Sequence, residues 1–161
     1  MFTCAKVVEN LIMANGVVHD PDSGSLFVAP SSEQAVHEFA YTDNRRAPLT
    51  LKRTVPVQGL CDNLALHPHR PGVLAACHPQ LLHFLLYSKG ITHSHSQAYY
   101  IPSAKEGGEA EELLLVPGEV LSGLATAIMT EDGVLIGGTV HSRGLLRCHL
   151  GDEPQQAHET A

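Results

Sequence analysis

No run of apolar residues in this chain reaches the roughly 20 that carry a helix across a bilayer, so a membrane-spanning helix is excluded. The opening stretch from Met1 to Met13 is broken by Lys6, Glu9 and Asn10 and lacks the apolar centre of a signal peptide, so the chain as it stands is expected to be soluble and unexported. Basic residues are scarce: 10 Lys and Arg stand against 17 Asp and Glu, a formal net charge of −7, and a phosphate backbone needs the opposite balance, which sets nucleic acid aside. The 4 cysteines, Cys4, Cys61, Cys77 and Cys148, have no Cys-x-x-Cys spacing, which removes the zinc-ribbon and thioredoxin-like readings. They are most simply small buried hydrophobes, with room for one oxidised pair. There is no Gly-x-Ser-x-Gly elbow, and Ser142 beside His141 is a coincidence of neighbours, because a catalytic triad is assembled in space. Gly137-Gly138 lies in a strand-like run and opens no helix, so no phosphate loop is present.

What the chain does have is repetition. Asn15 to Gly24 and Asn63 to Gly72 follow one pattern 48 residues apart, each with an asparagine at the same phase. Leu26 then matches Leu74, Val28 matches Ala76, Val36 matches Phe84 and Phe39 matches Tyr87. Gly133 follows Gly72 by 61 residues, and at that offset Leu135 matches Leu74, Leu145 matches Phe84 and Cys148 matches Tyr87. Short apolar runs between turns at such a period describe stacked β-propeller blades, with a loop insertion in the longer interval.

The expected fold is all-β: about three four-stranded antiparallel blades, unclosed, over residues 1–149, with blades near 1–48, 49–96 and 97–149 and a disordered tail over 150–161. The first unit takes strands at Ala5 to Val8, Gly16 to His19, Ser25 to Ala29 and Ala35 to Ala40. The second takes Leu49 to Pro56, Asn63 to His67, Val73 to Cys77 and His83 to Tyr87. Gln97 to Ile101, Glu112 to Val116, Leu124 to Thr130, Val134 to Thr139 and Gly144 to His149 complete the third. The composition, 43% hydrophobic and 17% charged, is that of a globular chain with its own core.

Asn15, Asp62 and Asn63 are the sharpest chemical candidates. The innermost strand of each propeller blade lines the central channel, so residues at one phase converge there, and two amide oxygens with one carboxylate suit a hard cation such as calcium. The third repeat has Gly123 and Leu124 in the positions of Asp62 and Asn63. On spacing alone, the same Asn-Gly and Asp-Asn pairs serve equally well as turn formers. The histidine pairs His67/His69 and His93/His95 fall in turns or loops without a third ligand at a zinc-site spacing.

Four ordered motifs carry a resemblance: Met13-Ala14-Asn15-Gly16 with the turn Asp20-Pro21-Asp22-Ser23-Gly24; Gly59-Leu60-Cys61-Asp62-Asn63; Cys77-His78-Pro79; and Leu135 to Val140 running on to Leu146-Arg147-Cys148. Over about residues 3 to 149 the chain resembles the C-terminal half of a paraoxonase/arylesterase, a six-bladed propeller with calcium in its channel. The resemblance implies that Asn15, Asp62 and Asn63 are ligands of the catalytic calcium and that Met13, His78 and Val140 line the substrate pocket, with Met13 replacing the usual aromatic. It implies a free Cys77 near that pocket, and it makes Cys148 one half of a disulfide whose partner lies near the family's N-terminus. The expected substrate is a small ester or lactone.

The catalytic histidines, the other calcium ligands and the second, structural calcium site belong to the family's N-terminal half, so no complete catalytic set is expected in this chain. Gln80 replaces an asparagine, and Leu85 and Leu86 replace aromatics, which gives any pocket a different shape. Two functions follow as expectations: a calcium-dependent arylesterase or lactonase half, inactive when isolated, or a non-catalytic half-propeller that acts as an interaction module. Three blades cannot close a ring, so a homodimer or the missing N-terminal half is the expected partner. Relatives of this family are often secreted, and the sequence leaves the localisation of this chain open.

Overall fold

The computed structural model describes residues 4–42 and 47–149, so the tail expected over 150–161 lies outside the described residues. It is all-β with one short helix: β1 (Ala14–Asp20), β2 (Ser25–Pro30), β3 (Ala35–Ala40), β4 (Thr50–Pro56), β5 (Leu60–Leu66), β6 (Gly72–His78), α1 (Leu81–Ser88), β7 (Ser96–Pro102), β8 (Glu111–Val116), β9 (Leu124–Met129), β10 (Val134–Thr139) and β11 (Leu145–His149). The strands form three antiparallel meanders, β1-β2-β3-β4, β5-β6-β7-β8 and β9-β10-β11, none of them closed on itself. Their first strands β1, β5 and β9 run side by side, as the inner strands of neighbouring blades do in an incomplete propeller.

The two central strands of the middle sheet, β6 and β7, are buried on both faces, and their sequence shows why. Along β6, Val73, Ala75 and Cys77 pack with Phe27, Val36 and Val55 of the first sheet. The alternate residues Leu74 and Ala76 pack with Leu124, Ala127 and Leu135 of the third. A strand covered on both faces reads as an unbroken apolar run, and every residue of β6 and of β7 is buried. On the outer sheets one face stays open: Val17 of β1 is 55% exposed and Ile128 of β9 is 46% exposed.

A polar clamp fastens the first two sheets together. Glu38 on β3, fully buried, accepts from Ser25 Oγ at 2.6 Å, from Arg53 Nε at 3.0 Å and from the backbone N–H of Ala104 at 2.7 Å. Arg53 on β4 then donates to the carbonyls of Gly108 (3.0 Å) and Pro102, so the loop after β7 is pinned onto the first sheet.

The repeat offsets place β1, β5 and β9 in equivalent positions, with β2, β6 and β10 beside them. Strand bookkeeping beyond that differs from the sequence reading. Residues 5–8 form no strand; they lie beside the start of β4, where Leu49 N–H donates to Val7 O at 2.9 Å. The strand expected to open the second unit, Leu49 to Pro56, instead closes the first sheet by pairing with β3. His83 to Tyr87, expected as a strand, is inside α1, so the partner of β6 is β7 and the inserted segment falls within the second sheet. Leu81 to Tyr87 is apolar at nearly every position, a pattern that cannot tell a strand from a helix, and Leu favours the helix. Glu112 to Val116, expected as a strand of the third unit, is a strand, β8 (Glu111–Val116), but it belongs to the second sheet, paired with β7.

Candidate functional site

Each inner strand carries one extra residue at the same level. In β1, Ala14 pairs with Pro30 and Gly16 with Ala29, leaving Asn15 outside the ladder. In β5 the regular pairing stops at Cys61↔Cys77 and resumes at Leu64↔Ala75, leaving Asp62 and Asn63 opposite one residue. In β9 Thr126 pairs with Gly138 and Leu124 with Thr139, leaving Ala125. Such β-bulges turn side chains and carbonyls out of the sheet, and here three of them face one another.

The contacts among them are direct. Asn15 Nδ2 donates to Asp62 Oδ1 at 2.5 Å, Asn63 Nδ2 lies 3.3 Å from the same oxygen, and Asn63 Nδ2 also donates to the carbonyl of Ala125 at 2.8 Å. The close approach of β1 to β5 depends on Gly16, because a Cβ there would stand 2.4 Å from the carbonyl oxygen of Asp62. Burial raises the pKa of Asp62 above the ordinary carboxylate value, and the bond from Asn15 acts against that rise.

Beside this cluster is a cavity of about 250 Å³ lined by Met13, Asn15, Asp62 and His78 together with Leu81, Phe84 and Leu85 of α1. His78 is 4% exposed, stacks on Phe84 with ring centroids 3.8 Å apart, and among the described residues has no hydrogen-bond partner on either ring nitrogen. Burial lowers its pKa to about 4, so the ring is neutral at pH 7, and its Nε2 stands 4.0 Å from Asp62 Oδ2. Met13 holds a left-handed backbone, φ 54°, uncommon for a residue with a Cβ, and its carbonyl accepts from Ser31 N–H at 2.9 Å.

Five of the six residues singled out in the sequence therefore meet: Asn15, Asp62 and Asn63 in one cluster, and Met13 and His78 on the adjoining cavity wall. Val140 does not line that cavity. It lies across α1, where its carbonyl accepts from the Tyr87 hydroxyl at 2.5 Å. Cys77 is not free as expected: it is the cross-strand partner of Cys61 and is disulfide-bonded to it, while Cys4 and Cys148 carry free thiols. Two contributors escaped the sequence reading. The Ala125 carbonyl has no side-chain signature, and α1 sits in a segment read as a strand. His67 is used locally, its Nδ1 accepting from the backbone N–H groups of His69 and Arg70.

The donor chemistry suits part of a hard-cation shell. Turning either asparagine amide through half a turn brings its Oδ1 to where its Nδ2 now stands, next to the Asp62 carboxylate. The set is short of the six to eight oxygens that calcium takes. Among the described residues no cluster of three or more His, Cys, Asp or Glu side chains forms.

A family profile described as Arylesterase matches residues 3–150. Serum paraoxonase/lactonase 3 of Mus musculus is 26% identical over 144 residues, which is 89% of this chain and 40% of that protein. The Homo sapiens protein of the same name gives the same identity and coverage. The Oryctolagus cuniculus one is 26% identical over 135 residues, 84% of this chain and 38% of that protein. The chain spans about two fifths of the length of the curated relatives it matches.

Proposed function

The chain belongs to the arylesterase family, and from that premise we propose that it carries one half of a calcium-dependent hydrolase site for aryl esters and lactones. Asn15, Asp62 and Asn63 are its share of the metal shell, and Met13 and His78 are part of its substrate wall. The observation that carries this reading is the meeting of three bulged inner strands at Asn15, Asp62 and Ala125, with an apolar cavity opening beside the only carboxylate of the cluster. A calcium ion held there would polarise an ester carbonyl and stabilise the charge that develops on its oxygen.

The residues of this chain do the rest of what the half-site can do. Asp62 supplies the one fixed negative charge, and the two asparagines orient it. Leu81, Phe84 and Leu85 exclude water from an acyl or aryl group seated in the cavity. His78, neutral and without a hydrogen-bond partner among the described residues, offers one nitrogen donor and one acceptor at the cavity wall.

Alone, the half-site does not turn over. Among the described residues, Asp62 and His78 are the only titratable side chains on the cavity wall, and no carboxylate lies within hydrogen-bond reach of the neutral His78 to fix its tautomer. The open faces at Val17 and Ile128 support closure of the ring by a second half, either a second copy of this chain or an N-terminal half. Phenyl acetate hydrolysis, measured with calcium and with a chelator, tests the activity. Negligible turnover by the isolated chain is expected, and robust chelator-sensitive turnover would overturn the claim of inactivity. Sedimentation equilibrium with and without calcium tests closure, and a monomer at high concentration in both conditions would rule out the dimer.

A further inference from the structure

A covalent bond joins β5 to β6 at the rung immediately before the site. Cys61 and Cys77 are register partners, Asp62 and His78 are their next neighbours along the two strands, and Cys61 lines the cavity. Beyond this rung the ladder is interrupted until Leu64↔Ala75, so the bond is the last firm tie before the bulge that presents Asp62. The Cys61 carbonyl is held from the first sheet by Ser31 Oγ at 2.9 Å.

We propose that Cys61–Cys77 is a thiol–disulfide exchange site for a small dithiol reductant, and that its redox state decides whether Asp62 and His78 are held together at the cavity. A thiolate of the reductant attacks one sulfur of the pair, and the other sulfur leaves and takes up a proton. The reductant's second thiol then attacks the mixed disulfide, releasing the second cysteine as a thiol and closing the reductant into its own disulfide. Two electrons pass from the dithiol to the cystine, and the reductant's two protons end on Cys61 and Cys77.

The consequence follows from packing. Two non-bonded sulfurs need more room than a bonded pair, and Cys61 and Cys77 are 1% and 0% exposed within the core between the first two sheets. A close-packed interior does not yield that room freely. The strain is relieved at the irregular part of the ladder, residues 61–64, which carries Asp62. The exchange site does not rest on the hydrolase reading, because the bond and the cavity are the same whatever the cavity takes.

The test uses the full chain purified without reductant and then split, one half treated with dithiothreitol. Alkylation followed by mass spectrometry should find Cys61 and Cys77 protected before treatment and labelled after it. Carbethoxylation of His78 by diethyl pyrocarbonate, and amide hydrogen exchange over residues 59–66, should both quicken about tenfold on reduction as local opening becomes easier. Exposed His83 on α1 should label equally in both states and serves as the internal control. The Cys61→Ser/Cys77→Ser double variant should show the fast rates with and without dithiothreitol, and if it does not fold, the oxidised and reduced wild-type samples still decide. Free thiols at both positions before treatment, a cystine that resists the dithiol in the folded chain, or unchanged rates after reduction would each overturn the proposal.

Discussion

Removing the carboxylate of Glu38 is the sharpest test of how the first two sheets are joined. The side chain has no exposed surface, while its cationic partners keep some: 22% for the side chain of Arg53 and 29% for that of Lys52, whose Nζ lies 3.7 Å from Glu38 Oε1. Taking one partner from a buried ion pair costs about 3 to 5 kcal/mol, because the charge left behind is uncompensated. Water can reach Arg53 and Lys52, which pulls the value to the lower end of that range, while the lost acceptor for Ala104 N–H acts the other way. Glu38→Ala is therefore expected to cost about 3 kcal/mol, a large share of the roughly 5 to 15 kcal/mol that holds an ordinary domain. Glu38→Gln keeps a neutral acceptor and should cost about 1 to 2 kcal/mol. Urea unfolding followed by far-ultraviolet circular dichroism measures both, provided the slope m is unchanged. A loss under about 1 kcal/mol for Glu38→Ala would refute the view that this clamp holds the loop after β7 onto the first sheet.

Gly16→Ala should lower stability by about 2 kcal/mol or more, since its Cβ would collide with backbone atoms of Asp62 and Leu64 on the neighbouring sheet; an unchanged melting temperature would show that β1 and β5 can move apart at no cost. His78 makes stability depend on pH. Its pKa is about 4 when folded against 6.5 ordinarily, so the unfolded chain binds the extra proton, and stability should rise from pH 4 to about 6.5 and level off above. The full span is worth about 3 kcal/mol. Asp62, raised on folding, contributes with the opposite sign near the acid end, so the His78 contribution is isolated by comparing melting curves of wild type and His78→Gln, which should be flatter over that window. Calorimetric titration with calcium should show weak binding by the isolated chain, because three side chains leave most of the shell to water. Asp62→Ala should reduce that binding more than Asn15→Ala or Asn63→Ala does, and an equal effect of all three would mean that the carboxylate is not the dominant ligand.

Periodicity made the inner strands legible. Asn15 and Asn63 share a phase at one offset and Leu124 follows at the next, because each repeat has to bury the same alternating apolar face against its neighbour. That register pointed to Asn15, Asp62 and Asn63 as residues that could converge, with turn formation the alternative on spacing alone, whereas Met13 and His78 entered only through the family resemblance. What periodicity could not say was where one sheet ends and the next begins. Leu49 to Pro56 has the composition of an exposed edge strand, and such a strand can pair with either neighbour in sequence; hydrogen bonding to β3 settled it. The Leu-rich segment of α1 was equally ambiguous, since a run that is apolar at nearly every position fits both periods, and only the three-dimensional placement of β7 beside β6 leaves Leu81–Ser88 free to be a helix over the cavity. The amino-acid sequence on its own thus determined the fold class, the phase of the inner strands and the oxygen-bearing side chains. Tertiary structure decided the partner of Cys77, the place of Val140 across α1 and the contribution of the Ala125 carbonyl, because each depends on contacts between segments whose distance in space local pattern does not encode.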